Sequence, residues 1–384
     1  MDEEAYVLLL STSKIILERR YILKSSKKIV ICMLLIVVSI ISLILINKNT
    51  NKTFKYKGST IALTIDGNSA TSFPASGKYN VTVNCNNAKG RWNPKTWKLE
   101  ITKITGTVTC DVSFNSNVSN LTTVVNNKAT RNENGKRYQG KNPNNYIWFN
   151  DELWRIIGII PVCLTGGCAS TENRVKIIRN DSIGAIKYGK NSTWMGSNIQ
   201  NLLNTCYLGK TSSCDSYCYT RSTSAKGTCD YSSDGIDTGD FYGNMIENVY
   251  FNVGRGDSTY KTAANYYTQE IATHATSTSK IGLMYASDWG YAIEGFTGVL
   301  GDSGSPQSYS DKNWLFSNGH EWIMSAYSSS EPLYAINFGY LRGGSFSGFS
   351  APDGASIRPV LYLKSDVYVV SGTGSKVDPY RIGM

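Results

Sequence analysis

The stretch that decides the fold is residues 146–160, which read YIWFNDELWRIIGII. It predicts a β-hairpin: a strand with Tyr146 and Trp148, a turn at the Asn-Asp pair 150–151, and a second strand that contains Trp154. The density of tryptophan and isoleucine predicts that these strands begin a large hydrophobic core.

The composition favours an extracellular, β-rich protein. A chain of 384 residues predicts two or three domains. Charged residues make up only 18%, and Tyr, Gly, Asn, Ser and Thr are abundant. The net charge is +10, with no cluster of Lys and Arg after residue 28. Nucleic acid is therefore not an expected partner, whereas weak attraction to anionic surfaces is compatible with the charge.

An apolar segment near the N-terminus predicts a membrane anchor. Ile29–Ile46 carries no charge and would span about 27 Å as a helix. Basic residues precede it, so 1–28 is predicted to be a cytoplasmic tail and the bulk of the chain to be extracellular. The expected location is the cell membrane, with a single span. A cleaved signal peptide is the alternative, and the long apolar run without an A-x-A-like site favours an uncleaved anchor.

Cysteine usage fits an oxidising compartment. One of the nine cysteines, Cys32, lies in the apolar segment. The others are predicted to form disulfides: Cys85 with Cys110, Cys163 with Cys168, and an undecided pairing among Cys206, Cys214, Cys218 and Cys229. A zinc site in the last group is disfavoured because no C-x-x-C pair is present. Neither a metal nor a cofactor is predicted.

Patterning divides the chain after the anchor. Period-two alternation predicts a small β-sandwich over 57–115, and a polar stretch predicts a linker over 116–144. Residues 145–384 are predicted to be an α+β domain with an antiparallel sheet, long loops and two helices, Ser197–Leu208 and Asp240–Val253.

The C-terminal domain also resembles a known family. The ordered strings VKIIRNDSIG, MIENVY, KIGLMYASDWGYA, NWLFSNGHEWIMS and SIRPVLYLKSDV, after the opening hairpin, resemble bacterial surface proteins with a domain of unknown function behind a signal anchor and a small β module. The resemblance implies a C-type-lectin-like fold, related in shape to formylglycine-generating enzymes. It also implies that Tyr146–Ile160 pairs with Ile357–Lys364 and that the long loops bind the ligand. It supplies no catalytic residue.

Several loop motifs are candidate sites. Arg255-Gly256-Asp257 matches the tripeptide by which matrix proteins engage integrins, and Trp289, Tyr291 and Tyr327 are candidates for stacking on sugars. GDSGSP at 301–306 resembles a serine-protease loop. The nearest upstream histidine, His274, lies much closer in sequence to Ser303 than the catalytic histidine of a trypsin-like protease lies to its serine, so a Gly/Ser turn is favoured. The stretch 230–240 resembles half of a calcium loop, for which a polar turn is the favoured interpretation.

The sequence therefore predicts a membrane-anchored extracellular recognition or adhesion protein without enzymatic activity. The expected partner is a glycan or a host or cell-surface protein. An extracytoplasmic hydrolase or polymer-modifying enzyme is the alternative, and a structural envelope protein is the third. With two histidines and scattered carboxylates, the chain shows no acid/base constellation.

Overall fold

The computed structural model describes residues 59–188, 194–212, 214, 229–253, 262–272, 276–300, 311–317, 319–326, 332–337, 346–348 and 354–384. The chain divides into two units, Met1–Ser59 and Thr60–Met384. The architecture described below is that of the second unit.

The second unit begins with a small β module of two sheets. Its strands are β1 (Thr60–Ile65), β2 (Asn68–Ser69), β3 (Asn80–Asn86), β4 (Lys89–Asn93), β5 (Lys98–Thr102) and β6 (Thr109–Asn115). One sheet has the order β2-β1-β6-β3, with β1 parallel to β6, and the other is the hairpin β4–β5. Trp92 and Phe114 pack edge to face in the core of this module, with ring centroids 4.8 Å apart.

The stretch 116–144, predicted as a linker, is folded instead. It contains helix α1 (Leu121–Lys128) and the short hairpin of β7 (Arg131–Asn132) and β8 (Lys136–Arg137). Leu121 and Val125 of α1 are 1% and 0% exposed and join the main core. The correction has a simple cause: apolar side chains at helical spacing are buried here, which outweighs the polar composition of the stretch.

The opening hairpin lies at the centre of the largest sheet. The strands of its main path are β9 (Tyr146–Phe149), β10 (Glu152–Cys163), β11 (Thr171–Arg179), β15 (Ile281–Gly282), β20 (Val360–Leu363), β21 (Tyr368–Ser371) and β22 (Tyr380–Gly383). Their order is β15-β20-β11-β10-β9-β22-β21. Beside this path, β8 pairs with β10, and β13 (Val249–Asn252) pairs with β10 and with β14 (Thr276–Ser279).

The hairpin itself is confirmed. β9 and β10 pair antiparallel. Asn150 and Asp151 between them have φ values of 53° and 59°, the left-handed conformation that a tight hairpin turn needs. Trp154 is fully buried.

The predicted partner of the hairpin is wrong. The strand within Ile357–Lys364, β20, pairs with β11 and β15 and does not touch the β9 edge. The edge of β9 is taken by β22 at the end of the chain, in parallel, with Arg381 beside Trp148. β11 fills the other edge of β10 because it follows β10 directly in an antiparallel pair.

A further sheet has the order β12-β19-β16-β17-β18. Its strands are β12 (Ala185–Lys187), β16 (Gly319–Ala326), β17 (Pro332–Asn337), β18 (Phe346–Gly348) and β19 (Gly354–Ser356). The indole of Trp322 on β16 donates to the carbonyl of Ile186 at 2.7 Å, which ties this sheet together across its middle.

The helices are few and short. Besides α1, the described residues form α2 (Asn198–Asn201), which continues as a π-helical turn over Leu202–Tyr207, α3 (Ala263–Ala272), α4 (Ala286–Tyr291) and the 3₁₀ turns Gly166–Cys168 and Gly243–Met245. The first predicted helix is confirmed, and the Ser197 side chain accepts the N–H of Gln200 at 3.1 Å as its N-cap.

The predicted second helix, Asp240–Val253, is wrong. It is replaced by a 3₁₀ turn and strand β13, in which Val249 and Phe251 are fully buried and alternate with less buried neighbours. The α+β fold class is therefore also wrong: with 40% of residues in strands and 16% in helices, the protein is mostly β.

The membrane prediction is corrected as well. No helix in the described ranges is long and apolar enough to cross a membrane; α3, the longest of them, has 10 residues and rises about 15 Å. The predicted tail 1–28 and anchor Ile29–Ile46 lie outside the described residues. The structure therefore does not support a single-pass protein of the cell membrane with its bulk outside, and this prediction is withdrawn.

Three disulfides are formed among the described residues: Cys85–Cys110, Cys163–Cys168 and Cys206–Cys214. Cys85 and Cys110 face each other on β3 and β6, so their bond joins neighbouring strands of one sheet. Cys229 is also disulfide-bonded, whereas Cys218 lies outside the described residues. The local pairings are thus confirmed, and Cys206–Cys214 decides one pair of the undecided group.

Candidate functional site

The predicted binding residues do not form a surface site in the described structure. Trp289 and Tyr291 lie in α4, are 1% and 0% exposed, and belong to the core, so neither offers its ring to a ligand. The remaining candidates lie outside the described residues: Arg255, Gly256, Asp257, Tyr327 and the motif at 301–306.

The calcium-like stretch caps turns. Asp237 accepts the backbone N–H of Gly239 at 2.9 Å, and Asp240 accepts those of Tyr242 and Gly243 at 3.0 and 2.8 Å. Within the described ranges, no group of three or more His, Cys, Asp and Glu side chains is placed to hold a metal ion.

Four charged side chains meet in the interior and form what we call the buried ionic cluster: Arg137, Lys176, Glu270 and Asp288. Asp288, on α4, accepts from Arg137 Nη1 at 2.6 Å and from Lys176 Nζ at 2.5 Å. It also accepts the N–H of Tyr285 at 2.9 Å, at the start of α4. One carboxylate therefore fixes α4 to both β8 and β11.

Burial and charge act against each other on this carboxylate. Burial alone would raise the pKa of Asp288, but the charges of Lys176 and Arg137 and the hydrogen bonds hold that pKa below its ordinary value. Burial lowers the pKa of Lys176, and the negative charge of Asp288 offsets this only in part. The ammonium of Lys176 also lies 4.3 Å from the ring centroid of Tyr285, a cation–π contact.

Glu270, on α3, forms the other half of the cluster. Its carboxylate accepts from the Ser325 hydroxyl at 2.7 Å and from the backbone N–H and hydroxyl of Ser287 at 3.1 and 2.5 Å. No cation of the described residues forms an ion pair with it, and burial raises its pKa above the ordinary value. Glu270 therefore joins α3, α4 and β16 through neutral donors.

The buried ionic cluster is closed to a ligand. Its four members are at most 3% exposed, and every charged group already has hydrogen-bond partners. Such a cluster stabilises one arrangement of helices and strands, because removing any partner leaves a buried charge alone. We assign it to the scaffold.

An open site lies on the face of β8 opposite the buried ionic cluster. Helix α1, the hairpin β7–β8 and the strands β10 and β11 enclose a cleft with a volume of about 520 Å³. Ile159 and Pro161 of β10 provide its apolar surface. We call this site the polar cleft. The polar side chains that line it are Thr122, Thr123, Asn126, Asn132, Lys136 and Asn173.

Close backbone contact shapes the polar cleft. Gly135 turns the β7–β8 hairpin with φ at 115°. Gly158 on β10 lies against the backbone of β8, where any Cβ would overlap the carbonyl oxygen of Lys136. The start of α1 is fixed by the N–H of Leu121, which donates to the carbonyl of Val367 at 2.9 Å. These contacts define the outline of the cleft.

The side chains of the polar cleft are free to bind. None of the six makes a hydrogen bond or ion pair within the described structure. Amides and hydroxyls both donate and accept, whereas the ammonium of Lys136 only donates. The arrangement suits a ligand that itself carries both donors and acceptors.

Sequence reasoning missed this site because it assigned 116–144 to a linker. One signal was available: Leu121, Val124 and Val125 recur at helical spacing after Asn120. Nothing in the sequence indicated that Asn173 on β11 would face the same cleft. No protein family, no curated protein and no solved structure matches this chain.

Proposed function

We propose that the protein is a non-enzymatic recognition protein that binds a hydroxyl-rich ligand, an oligosaccharide, in the polar cleft. The observation that carries the proposal is the convergence of six unpaired polar side chains on one cleft of about 520 Å³. This volume falls within the ordinary range of ligand sites, in which a few polar groups fix the orientation of the ligand.

The chemistry of the lining supports an oligosaccharide. Sugar hydroxyls donate and accept hydrogen bonds, and so do the amides of Asn126, Asn132 and Asn173 and the hydroxyls of Thr122 and Thr123. Ile159 and Pro161 match the apolar C–H faces of a sugar ring.

The cleft favours binding over hydrolysis. A glycoside hydrolase needs a pair of carboxyl groups on either side of the scissile bond. Among the described residues that line this cleft there is no Asp, Glu or His, and Lys136 is the one charged side chain. The resemblance to bacterial surface proteins is compatible with recognition, and the C-type-lectin-like assignment stays a prediction.

The test is a glycan array with the purified, oxidised chain, followed by titration of the best ligand. We expect Asn126→Ala combined with Asn132→Ala to weaken binding at least about fivefold, because each lost hydrogen bond costs about 0.5–1.5 kcal/mol. The matched control is Asn127→Ala, which truncates an exposed amide of the same helix outside the cleft and should leave the affinity unchanged. The absence of any glycan ligand, or equal binding by the double variant, would contradict the proposal.

A further inference from the structure

The buried arginine and lysine side chains of the described residues differ in whether they form hydrogen bonds. Among the described residues, six Arg or Lys side chains are less than a tenth exposed: Arg137, Arg155, Arg174, Lys176, Arg358 and Arg381. The first five donate hydrogen bonds to carboxylates, an amide or carbonyls. The Arg381 side chain is 8% exposed and makes no hydrogen bond or ion pair with the described part of the chain. Its guanidinium therefore retains unused donors.

Arg381 is held by an aromatic ring instead. It lies on β22 beside Trp148 of β9, and its guanidinium carbon is 4.3 Å from the Trp148 ring centroid. Arg91 of β4 approaches the same ring, with its guanidinium carbon 5.9 Å from the centroid. Stacking satisfies the face of a guanidinium but leaves its N–H groups, which point outward in the ring plane, without partners.

The nearby acids are already engaged. Glu100 accepts from Arg91 Nε at 2.5 Å, and Asp151 accepts from Lys95 Nζ at 2.6 Å. Burial, and then the charge of Arg91, lower the pKa of Arg381 to about 10, so the side chain still carries its charge at neutral pH. A buried cation without a counter-ion is costly, and an anion from outside would remove that cost.

The guanidinium is also reachable. Its nitrogen atoms have no hydrogen-bond partner among the described residues, yet none of them is fully buried, so each is exposed to solvent at least in part. A cleft of about 340 Å³ has Arg91 and Ser371 in its wall. Arg381 does not line this cleft itself, but it is the cross-strand neighbour of Ser371. Asp378 also lines this cleft, so an anion is expected at the arginine end.

We propose that Arg381 and Arg91, stacked on Trp148, bind an oxyanion of a ligand: a carboxylate or phosphate group. A guanidinium fork matches the spacing of two oxygens of such a group and binds them in parallel. Arg381 supplies the fork and Arg91 a second positive charge. Nothing in this site depends on the polar cleft, which lies against other strands.

The test is calorimetric titration of the full chain with inorganic phosphate and with acetate, at constant ionic strength set by sodium chloride. We expect at least one anion to bind, and Arg381→Met to lower that affinity at least tenfold. Arg381→Lys keeps the charge but loses the fork, so it should retain part of the affinity, and Arg91→Met should lower it several-fold. Tighter phosphate binding indicates a phosphorylated ligand, and tighter acetate binding indicates a carboxylate ligand.

The matched control is Arg131→Met. Arg131 also stacks on an aromatic ring, with its guanidinium carbon 4.9 Å from the Tyr291 centroid, but its donors are bonded to Glu133. This variant should bind the anion as the parent does. Binding of neither anion by the parent, or unchanged binding by Arg381→Met, overturns the proposal. If Arg381→Met does not fold by circular dichroism, unchanged affinity in both Arg381→Lys and Arg91→Met overturns it.

Discussion

The two residues of strand β8 face two contrasting regions of the molecule. Arg137 is 1% exposed and belongs to the buried ionic cluster, whereas Lys136 lines the polar cleft. In the cluster every charged group has hydrogen-bond partners, whereas none of the six polar side chains of the cleft bonds to another described residue. Successive side chains of a strand point to opposite faces, so one short strand serves both regions.

This difference indicates which polar groups of the protein are available to bind a ligand. A polar group whose hydrogen bonds are already made in the interior must break them before it can hold a ligand, and it is buried as well. A polar group that only water satisfies can exchange that water for a ligand at little cost. We therefore expect mutations in the cluster to lower stability. Under the proposed function, we expect mutations in the cleft to weaken ligand binding and to leave stability unchanged.

The largest effect is expected from Asp288→Asn. The change removes the anion shared by Arg137 and Lys176 and leaves two buried cations unpaired, so the free energy of unfolding should fall by about 3–5 kcal/mol. Urea denaturation measures this loss. The matched control is Asp311→Asn, at the exposed pair of Asp311 with Lys141, where no measurable change is expected. Similar stability of the two variants would mean that the cluster is not what holds α4 to the sheet.

Gly158→Ala tests the strand that links the two regions. The added methyl group would overlap the carbonyl oxygen of Lys136 and displace β8 from β10. We expect a loss of about 1–3 kcal/mol in the free energy of unfolding, typical of overpacking, together with weaker ligand binding. Gly167→Ala is the control, because a Cβ at Gly167 meets no atom within 4 Å, although its φ of 72° costs some backbone strain. If the Gly158→Ala variant keeps the stability and the ligand affinity of the parent, β8 can move to accommodate the added methyl group without cost.

Glu270 makes the buried region sensitive to pH. Because burial raises its pKa above 4.5, the folded state holds this proton more tightly than the unfolded state does. The stability contributed by protonated Glu270 is present below pH 4.5 and is lost as the pH rises through the raised pKa.

Glu270→Gln stays neutral at every pH and therefore should gain stability relative to the parent as the pH rises above 4.5. Thermal unfolding measured from pH 4 to pH 8 compares the two proteins. A difference in stability that stays constant over this range would contradict the assignment of a raised pKa to Glu270.

The smallest effect on stability is expected in the polar cleft. Asn126→Ala and Lys136→Gln remove side chains that have no partner among the described residues, so the free energy of unfolding should change by no more than about 0.5 kcal/mol. Urea denaturation in parallel with the Asp288 variant gives the direct comparison. A loss above 1 kcal/mol would show that these side chains stabilise the fold and would remove the contrast between the two regions.

The local features were predictable from the sequence. The hairpin of Trp148 and Trp154, the cap at Ser197 and the disulfide of Cys163 with Cys168 depend on residues a few positions apart, where spacing decides the structure. The helix expected over 240–253 failed because pairing with β14 made that segment a strand, and tertiary context outweighs a short apolar pattern.

The sites were not predictable in the same way. The partners of the buried arginines lie far away in the chain or are not those nearest in sequence: Arg155 bonds to Asn145, Arg358 bonds to Glu321, and Glu152 pairs with Arg179. The helix and the hairpin that line the polar cleft were predicted to be a linker, and no role was predicted for Arg381. Each of these outcomes depends on strands that are distant in the chain.

The sequence by itself determined the opening hairpin with its core residues and the local disulfides, because periodicity and composition act over short distances. Only the tertiary structure decided that β22 and not β20 covers the edge of β9, and so places Arg381 beside Trp148. It also decided which polar groups are paired and which are left free. Hydrogen bonding between distant segments is a property of the packed chain, and no pattern within one segment specifies it.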